Sequence, residues 1–175
     1  MTSSSTHPTL IERVRTSREL GSSPDYVLHG GGNTSAKGTV KNLLGEDVEV
    51  MWVKGSGWDL GSIEAPGLPA LDLQQLRKLR EVESMTDEEM VREVRRCMLD
   101  PKGPSPSVET LLHAFLPHTF IDHSHADAIL ALSNRENGVE LCQKIFGSRV
   151  AYLHYVMPGF PLSKAVADLV DANPD

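Results

Sequence analysis

Two histidines, His123 and His125, lie two residues apart after the apolar residues Phe120 and Ile121. In a β-strand, residues two apart point to the same face, so the two imidazoles would face the same way. Such a pair can bind a divalent metal, and a catalytic zinc site uses three protein ligands and keeps one position open. Polar residues at the end of a strand produce the same pattern, so the pair alone leaves both interpretations open.

The segment from Ser107 to Leu116 is predicted to be a helix that begins around Ser107. Glu109 would lie in the first turn, and His113 would stand one turn further along the same face. A carboxylate near a helix N-terminus is favoured by the helix dipole, and this effect alone accounts for Glu109. Whether Glu109 has a further role depends on the polar segments elsewhere in the chain.

Two glycine-rich turns point to an anionic ligand. The first is Gly30-Gly31-Gly32, which leads to Asn33, and the second is Gly55-Ser56-Gly57. Glycine-lined turns and helix N-termini expose backbone N–H groups that suit a phosphate. Neither turn has the G-x-G-x-x-G spacing of a dinucleotide site, and the first leads to no evident helix, so a Rossmann fold is rejected.

Helices and strands are predicted to alternate along the chain, which indicates a layered α/β fold. Thr86 and Glu89 form a predicted capping box at the start of one helix. The predicted helices are 10–20, 71–82, 86–98, 107–116, 126–133, 137–146 and 162–170, and the predicted strands are 26–28, 48–53, 120–124 and 150–156.

The composition is that of a soluble globular domain. The 175 residues are 39% hydrophobic and 23% charged, and the formal net charge of −7 argues against a nucleic-acid partner. No apolar run is long enough to span a membrane, and the first residues do not form a signal peptide. We expect residues 1–8 to be a disordered lead-in. Cys97 and Cys142 are expected to be reduced thiols, as in a cytoplasmic protein.

Four stretches carry a resemblance to a known family: LHGGGNTSAK, WVKGSGWDL, PSVETLLHAFLPHTFIDHSHADAILALSN and YVMPGF. They resemble the class II aldolase/adducin superfamily, and within it the aldolase part of the bifunctional rhamnulose-1-phosphate aldolase/alcohol dehydrogenase proteins. The resemblance runs from about residue 27 to residue 166. It implies a three-layer α/β/α fold with a mixed, mainly antiparallel central sheet, formed by a domain over 9–175 that is incomplete at its C-terminus.

The resemblance also implies roles for individual residues. Glu109 matches the catalytic glutamate, and His123 and His125 match two zinc ligands. The residues that match the phosphate- and substrate-binding positions are Gly32, Asn33, Ser56, Gly57 and Ser107. Ser124 stands where the family commonly has threonine. The third zinc histidine of the family has no counterpart here, since His154 comes too early in the chain.

The implied activity is cleavage of a ketose 1-phosphate, L-rhamnulose 1-phosphate in the nearest branch, into dihydroxyacetone phosphate and L-lactaldehyde. Zinc would act as a Lewis acid and Glu109 would transfer protons. His113 would orient Glu109, pack beneath the metal site or bind the metal directly. We also expect a homo-oligomer, and little activity from this chain alone because the third histidine is missing.

Two alternatives stay open. A non-catalytic, adducin-like interaction module would keep the fold, although it has no need for Glu109 beside paired histidines. A sibling epimerase or decarboxylase would use the same metal site. His29 and His118 are interpreted as structural or surface residues, and Trp52 and Trp58 as packing that fixes the Gly55-Ser56-Gly57 turn.

Overall fold

The structure is a computed structural model that describes residues 7–173. It begins with helix α1, Pro8–Gly21, which proline can start because its fixed φ suits the first turn. The ring of His7 caps this helix by accepting the N–H of Thr9 at 3.2 Å. Most of the lead-in expected over 1–8 lies outside the described residues, whereas His7 and Pro8 cap and begin α1.

Four strands form one sheet in the order β3-β2-β1-β4. They are β1 Asn33–Lys41, β2 Asp47–Val53, β3 Ala70–Asp72 and β4 Phe120–His123. Every pairing within residues 7–173 is antiparallel, in agreement with the mainly antiparallel sheet that was expected.

The two faces of β2 bury different layers, as the alternation of side chains along a strand requires. Val50 and Trp52 pack with Leu10 of α1 on one face. Met51 and Val53 pack on the other face against the helices α2 Leu73–Lys78, α3 Asp87–Arg96, α4 Thr110–Phe115 and α7 Phe160–Ala172. Helices therefore cover both faces of the sheet, which confirms the three-layer α/β/α prediction.

The predicted helix 86–98 is confirmed together with its cap. The Glu89 N–H donates to the Thr86 hydroxyl at 3.2 Å, and the Thr86 N–H donates to the Glu89 carboxylate at 2.9 Å. The predicted helix 71–82 is only partly correct. Leu71 pairs with Met51 in the sheet, and α2 starts only after Asp72, whose carboxylate accepts the Gln75 N–H at 2.9 Å.

Strand β1 was not predicted, although it lies in the middle of the sheet. Its sequence, NTSAKGTVK, lacks the apolar alternation that predicts a strand. Its buried polar side chains are instead hydrogen-bonded: Thr34 to Ser17 at 2.7 Å, and Ser35 to His113 at 2.8 Å. Hydrogen bonds to residues distant in the sequence thus replace the hydrophobic pattern on which the prediction depends.

Two predicted strands are absent. Tyr26 ends a turn over 24–26, and residues 27–28 have no regular structure; the N–H groups of Tyr26 and Val27 both donate to the Ser23 carbonyl. Residues 150–156 find no strand partner in the described part of the chain. The chain there includes His154, which packs on Tyr152 with ring centroids 5.5 Å apart and is not in a strand.

The helices α5 Asp127–Ser133 and α6 Gly138–Phe146 agree with the predicted segments. Cys97 and Cys142 are both free and buried, as expected for reduced thiols. Between His7 and Asn173, no helix is long and apolar enough to cross a membrane.

Candidate functional site

The pairing of β1 with β4 places two predicted site residues opposite each other. Asn33 and His123 are direct partners in the antiparallel register. Arg13 of α1 holds this pair of strands together, because its guanidinium donates to the carbonyls of Ser35 and Ile121 and lies 2.7 Å from the Asp122 carboxylate. The first helix therefore fixes the strand ends that carry the site.

Glu109 enters the site from a turn that precedes α4. The helix predicted from Ser107 begins at Thr110, because the Ser107 carbonyl accepts both the N–H and the hydroxyl of Thr110. The Glu109 N–H donates to the Ser107 hydroxyl at 3.3 Å. Glu109 occupies the cap position of α4 but makes no capping hydrogen bond with its side chain, which is directed across the sheet instead.

Asn33, Glu109 and His123 are in mutual contact. The Asn33 amide donates to Oε2 of Glu109, and Nδ1 of His123 lies 2.9 Å from the same oxygen. Because a carboxylate only accepts, the proton between them belongs on His123 Nδ1. In the neutral ring, Nε2 is then the basic nitrogen. This is the arrangement in which a carboxylate orients a metal-binding histidine.

The Glu109 carboxyl is held ionised. Burial raises its pKa, but the hydrogen bond and charge of His123, together with the Asn33 amide, outweigh burial and lower the pKa to about 2. Oδ1 of Asn33 is buried and has no hydrogen-bond partner in the described part of the chain. An acceptor without a partner beside the carboxylate favours a bound donor, such as a hydroxyl group, at this point.

The first glycine turn packs between the histidines and the second glycine turn. A Cβ atom on Gly31 would lie 3.4 Å from Nδ1 of His125. Gly32 has φ of +62°, and a Cβ atom there would lie 2.6 Å from the backbone oxygen of His123. The backbone of the first glycine turn therefore approaches the histidine pair closely.

The second turn lies beside the first. A Cβ atom on Gly30 would be 3.8 Å from the Cα of Gly57, whose φ is +79°. The Ser56 N–H is already bonded to the Ser105 carbonyl at 2.7 Å, so the donors that this turn can offer a ligand are the Ser56 hydroxyl and the Gly57 N–H. Both residues are exposed, as a ligand-binding turn requires.

His113 lies beneath the cluster in the core. It is 0% exposed, and its Nδ1 contacts the Ser35 hydroxyl at 2.8 Å. Burial, and then the charge of His123, lower its pKa to about 3, so the ring is neutral. Its Nε2 has no partner among residues 7–173. Of the three predicted roles, packing beneath the site agrees best with this position.

The donors present fit part of a zinc site. The rings of His123 and His125 have centroids 4.9 Å apart, although the strand ends at His123 and leaves His125 just beyond it. Imidazole nitrogen is a preferred zinc ligand, and Nε2 of His123 is the nitrogen left for a metal. Within the described residues, no group of three His, Cys, Asp or Glu side chains is placed to hold a metal ion. A third ligand is needed to complete the site.

Known proteins are similar to this chain in both fold and sequence. Residues 11–174 match the family described as the class II aldolase and adducin N-terminal domain. The chain belongs to the class II aldolase/adducin family. A solved structure of the N-terminal class II aldolase domain of a conserved protein from Thermoplasma acidophilum is similar to it, with a TM-score of 0.87 and 42% identity over 96% of this chain and 78% of that one.

A curated relative of this class II aldolase/adducin chain is considerably longer. The uncharacterized oxidoreductase YuxG of Bacillus subtilis (strain 168) is 47% identical over 163 residues, which cover 93% of this chain. The chain spans only 24% of the length of that relative. The similarity therefore concerns one region of the longer protein.

Among the residues that sequence reasoning placed in the site, the structure brings together Asn33, Glu109 and His123, with His125 beside Gly31. His29 and His118 are exposed, and Trp58 packs on Gly67. Sequence reasoning missed Lys54, which is buried at the end of β2. Its only signal was its position in WVKGSG, directly between an apolar strand and a glycine turn.

Proposed function

We propose that this chain is the aldolase region of a zinc-dependent enzyme that cleaves a ketose 1-phosphate, with L-rhamnulose 1-phosphate as the substrate and dihydroxyacetone phosphate and L-lactaldehyde as the products. The observation that carries the proposal is the ionised, half-buried Glu109 carboxylate in contact with His123 and Asn33. A carboxylate beside a metal-binding histidine is suited to transfer protons at a substrate bound to that metal.

His123 and His125 would hold the zinc ion, and its third protein ligand would come from outside the described residues. A bound zinc ion acts as a Lewis acid on the oxygens of the substrate. Glu109 accepts a proton from the substrate and returns it, and the Asn33 amide holds the Glu109 carboxylate in position.

The two glycine turns and Ser107 support a phosphorylated substrate. In this proposal the Ser56 hydroxyl, the Gly57 N–H and the Gly32–Asn33 turn bind the phosphate, and so fix the reacting carbon close to the metal. Rhamnulose 1-phosphate, and with it a role in rhamnose metabolism, is proposed because the sequence resembles the rhamnulose-1-phosphate aldolase branch of the family. The relative named as an oxidoreductase is about four times as long as this chain. Its name and length agree with a protein in which an aldolase part is joined to a dehydrogenase part.

The test uses the full-length protein with Glu109→Gln, which keeps the shape of the side chain and removes its base. Release of lactaldehyde from rhamnulose 1-phosphate should fall by roughly 10²–10⁴-fold, the usual contribution of a general acid–base group. The zinc content, measured by elemental analysis with zinc in excess, should not change, because the amide oxygen of glutamine can still accept the Nδ1–H of His123. Glu83→Gln, at an exposed position away from the site, is the matched control and should retain full activity.

Each alternative gives a different result in the same experiments. Unchanged cleavage in Glu109→Gln would remove this residue from the mechanism. A wild-type protein that binds no zinc and turns over no sugar phosphate would indicate an adducin-like interaction module. Conversion of the sugar phosphate to an isomer, or release of carbon dioxide without lactaldehyde, would identify the epimerase or the decarboxylase.

We also propose a cytoplasmic homo-oligomer. The two free, buried thiols agree with a reducing compartment. An apolar surface formed by α5, α6 and residues 150–157 supports association, since large side chains are exposed there: Ile129, Leu130, Val139, Ile145, Val150, Tyr155 and Met157. Light scattering coupled to gel filtration would show a single monomeric mass if this part of the proposal is wrong.

A further inference from the structure

Three polar contacts join one face of β1 to α4 and its two cap residues. In a strand, residues at alternate positions face the same way, so Asn33, Ser35 and Lys37 share a face. Each of them meets a polar group of the helical segment: Asn33 donates to the Glu109 carboxylate, Ser35 bonds to His113, and Lys37 donates to the Leu116 carbonyl. These are the three β1–α4 contacts.

The β1–α4 contacts follow the same order and a similar spacing on both elements. Two residues of a strand span about 6.6 Å. On the helix, the partners stand four and then three residues apart, which corresponds to about 6 and 4.5 Å of rise and keeps them on one face. Strand and helix therefore run in the same direction here, with Glu109 at the first contact, His113 at the second and Leu116 at the third.

The second contact is the most deeply buried of the three. Ser35 and His113 are both 0% exposed, and Nδ1 of the ring lies 2.8 Å from the serine hydroxyl. This hydroxyl is the one hydrogen-bond partner of the ring in the described part of the chain, since Nε2 has none. Loss of the hydroxyl would leave the whole ring unpaired in the core, which is costly. The hydrogen bond therefore fixes how far α4 stands from β1.

The second contact is connected to Glu109 through both elements. The His113 N–H donates to the Glu109 carbonyl at 3.2 Å, in the first turn of the helical segment. On the strand, Ser35 is two residues from Asn33, whose amide holds the Glu109 carboxylate. The His113 ring bonds to Ser35 and not to this carboxylate, so its effect on Glu109 passes through the placement of α4 against β1.

The placement of α4 matters because the Glu109 carboxylate must reach a partner on another strand. Its Oε2 lies 2.9 Å from Nδ1 of His123, and the side chain makes no capping hydrogen bond that would hold it to its own helix. Catalytic groups must stay within about 0.5 Å of their productive geometry. A misplacement of about 1 Å can lower a rate by about 100-fold.

We infer that the hydrogen bond between Ser35 and His113 sets the position of the Glu109 carboxylate against His123, and that Ser35 and His113 are positioning residues of the site. The effect on catalysis rests on the proposed function, whereas the effect on geometry does not. When the serine hydroxyl is removed, the ring turns to another partner or admits water, and α4 moves with it. The contact between Glu109 and His123 then lengthens, although none of its own atoms has been changed.

The first experiment compares crystal structures of the full-length wild type, Ser35→Ala and Thr34→Val. Thr34 is the matched control, because it is also 0% exposed in β1 and its hydroxyl bonds to Ser17 of α1 at 2.7 Å, on the opposite face of the strand. In Ser35→Ala, the distance from Oε2 of Glu109 to Nδ1 of His123 should grow by about 0.5 Å or more. In Thr34→Val this distance should keep its wild-type value.

Activity provides the second measurement. In Ser35→Ala and His113→Leu, kcat for the ketose 1-phosphate should fall about 10- to 100-fold, while KM changes less than about threefold, because the substrate contacts are unchanged. His113→Asn should recover most of kcat, since its amide can bond to the serine hydroxyl from the position of Nδ1. Thr34→Val should cleave as the wild type does. Thermal melting verifies that each variant is folded, and Ser35→Ala should lower Tm about as much as Thr34→Val does.

Three results would overturn the inference: an unchanged distance between Glu109 and His123 in Ser35→Ala, an equal loss of kcat in Thr34→Val, or no better activity in His113→Asn than in His113→Leu. The second result would indicate a general loosening of β1, and the third would show that the shape of the ring matters rather than its hydrogen bond.

Failure of the proposed function is distinguishable from failure of this inference. If the distance between Glu109 and His123 grows in Ser35→Ala and not in Thr34→Val, but the wild type cleaves no ketose 1-phosphate, the aldolase proposal is wrong and the positioning role is supported. If the wild type cleaves the substrate and Ser35→Ala changes neither the distance nor kcat, the aldolase proposal stands and the positioning role is wrong.

Discussion

The ion pair between Arg13 and Asp122 leads to a prediction about stability. The order of the two costs is opposite to the order that side-chain exposure alone would give. The Arg13 side chain is 1% exposed and the Asp122 side chain is 54% exposed, with the two charges 2.7 Å apart. Substitution of a buried residue usually destabilises a protein more than substitution of an exposed one. Here we expect the opposite order, because Arg13→Met removes a buried charge whereas Asp122→Ala leaves that charge buried without its partner.

The magnitudes follow from desolvation. Loss of one partner of a buried ion pair costs about 3–5 kcal/mol, and the partial exposure of Asp122 reduces this to about 2–3 kcal/mol for Asp122→Ala. Arg13→Met loses two long hydrogen bonds, to the carbonyls of Ser35 and Ile121 at 3.3 and 3.4 Å, and one to the partly exposed Thr16 hydroxyl at 2.6 Å, which water can replace. The substitution also removes the free-energy cost of keeping the guanidinium charge away from water, the same burial that lowers the pKa of Arg13. We therefore expect a net cost of about 1 kcal/mol.

The assay is urea unfolding of both single variants and of the double variant at neutral pH. The double variant should be no less stable than Arg13→Met, because Asp122 has no buried charge to compensate once Arg13 is gone. Asp47→Ala breaks the exposed pair with Lys41, whose atoms are 2.8 Å apart, and serves as the control with a cost below about 1 kcal/mol. A larger cost for Arg13→Met than for Asp122→Ala would refute the reasoning.

Two further predictions concern pH and the glycine turn. Burial, and then the charge of Arg77, lower the pKa of Lys37 from 10.5 to about 8. Between these two values the unfolded chain binds more protons than the folded one, so the free energy of unfolding should rise with pH from about 8 to 10.5, by at most about 3 kcal/mol, and urea titrations of Lys37→Met should lack this rise. Gly32→Ala should cost about 3 kcal/mol or more, because its φ of +62° is combined with a Cβ position 2.6 Å from a backbone oxygen. Gly45→Ala, at φ of +82° with nothing within 4 Å, should cost only about 1–2 kcal/mol, and equal thermal midpoints would show that the close approach at Gly32 is unimportant.

The part of the site that the sequence predicts best depends on short-range geometry. The His123–His125 spacing imposes its consequence within a few residues, and the structure has the two neighbouring rings that it implies. The start of α4 was wrong by three residues. Ser107 uses its N–H on the Lys54 carbonyl, a contact across 53 positions that local pattern cannot contain.

Strand β1 and Lys54 were missed for a common reason. Both place polar groups in the interior, and sequence patterns assign such residues to the surface. Ser35 and Thr34 are buried because His113 and Ser17 meet their hydroxyl groups. Lys54 is buried because the Gly30 carbonyl receives its ammonium. These partners are brought together only by the complete fold, so the burial could not be inferred from the residues alone.

The pairing of β1 with β4 has a consequence for the order in which the protein folds and opens. Asn33 is separated by 76 positions from Glu109 and by 90 from His123, so the site consists of long-range contacts with a high loop-closure entropy, and we expect them to form late in folding. Strand β4 has four residues and lies at the edge of the described sheet, where hydrogen bonds open most easily. Partial opening there would separate His123 from Asn33 while β1, β2 and β3 stayed paired. We therefore expect the contact between His123 and Asn33 to open before the rest of the sheet does, and amide hydrogen exchange in β4 to be faster than in β1 and β2.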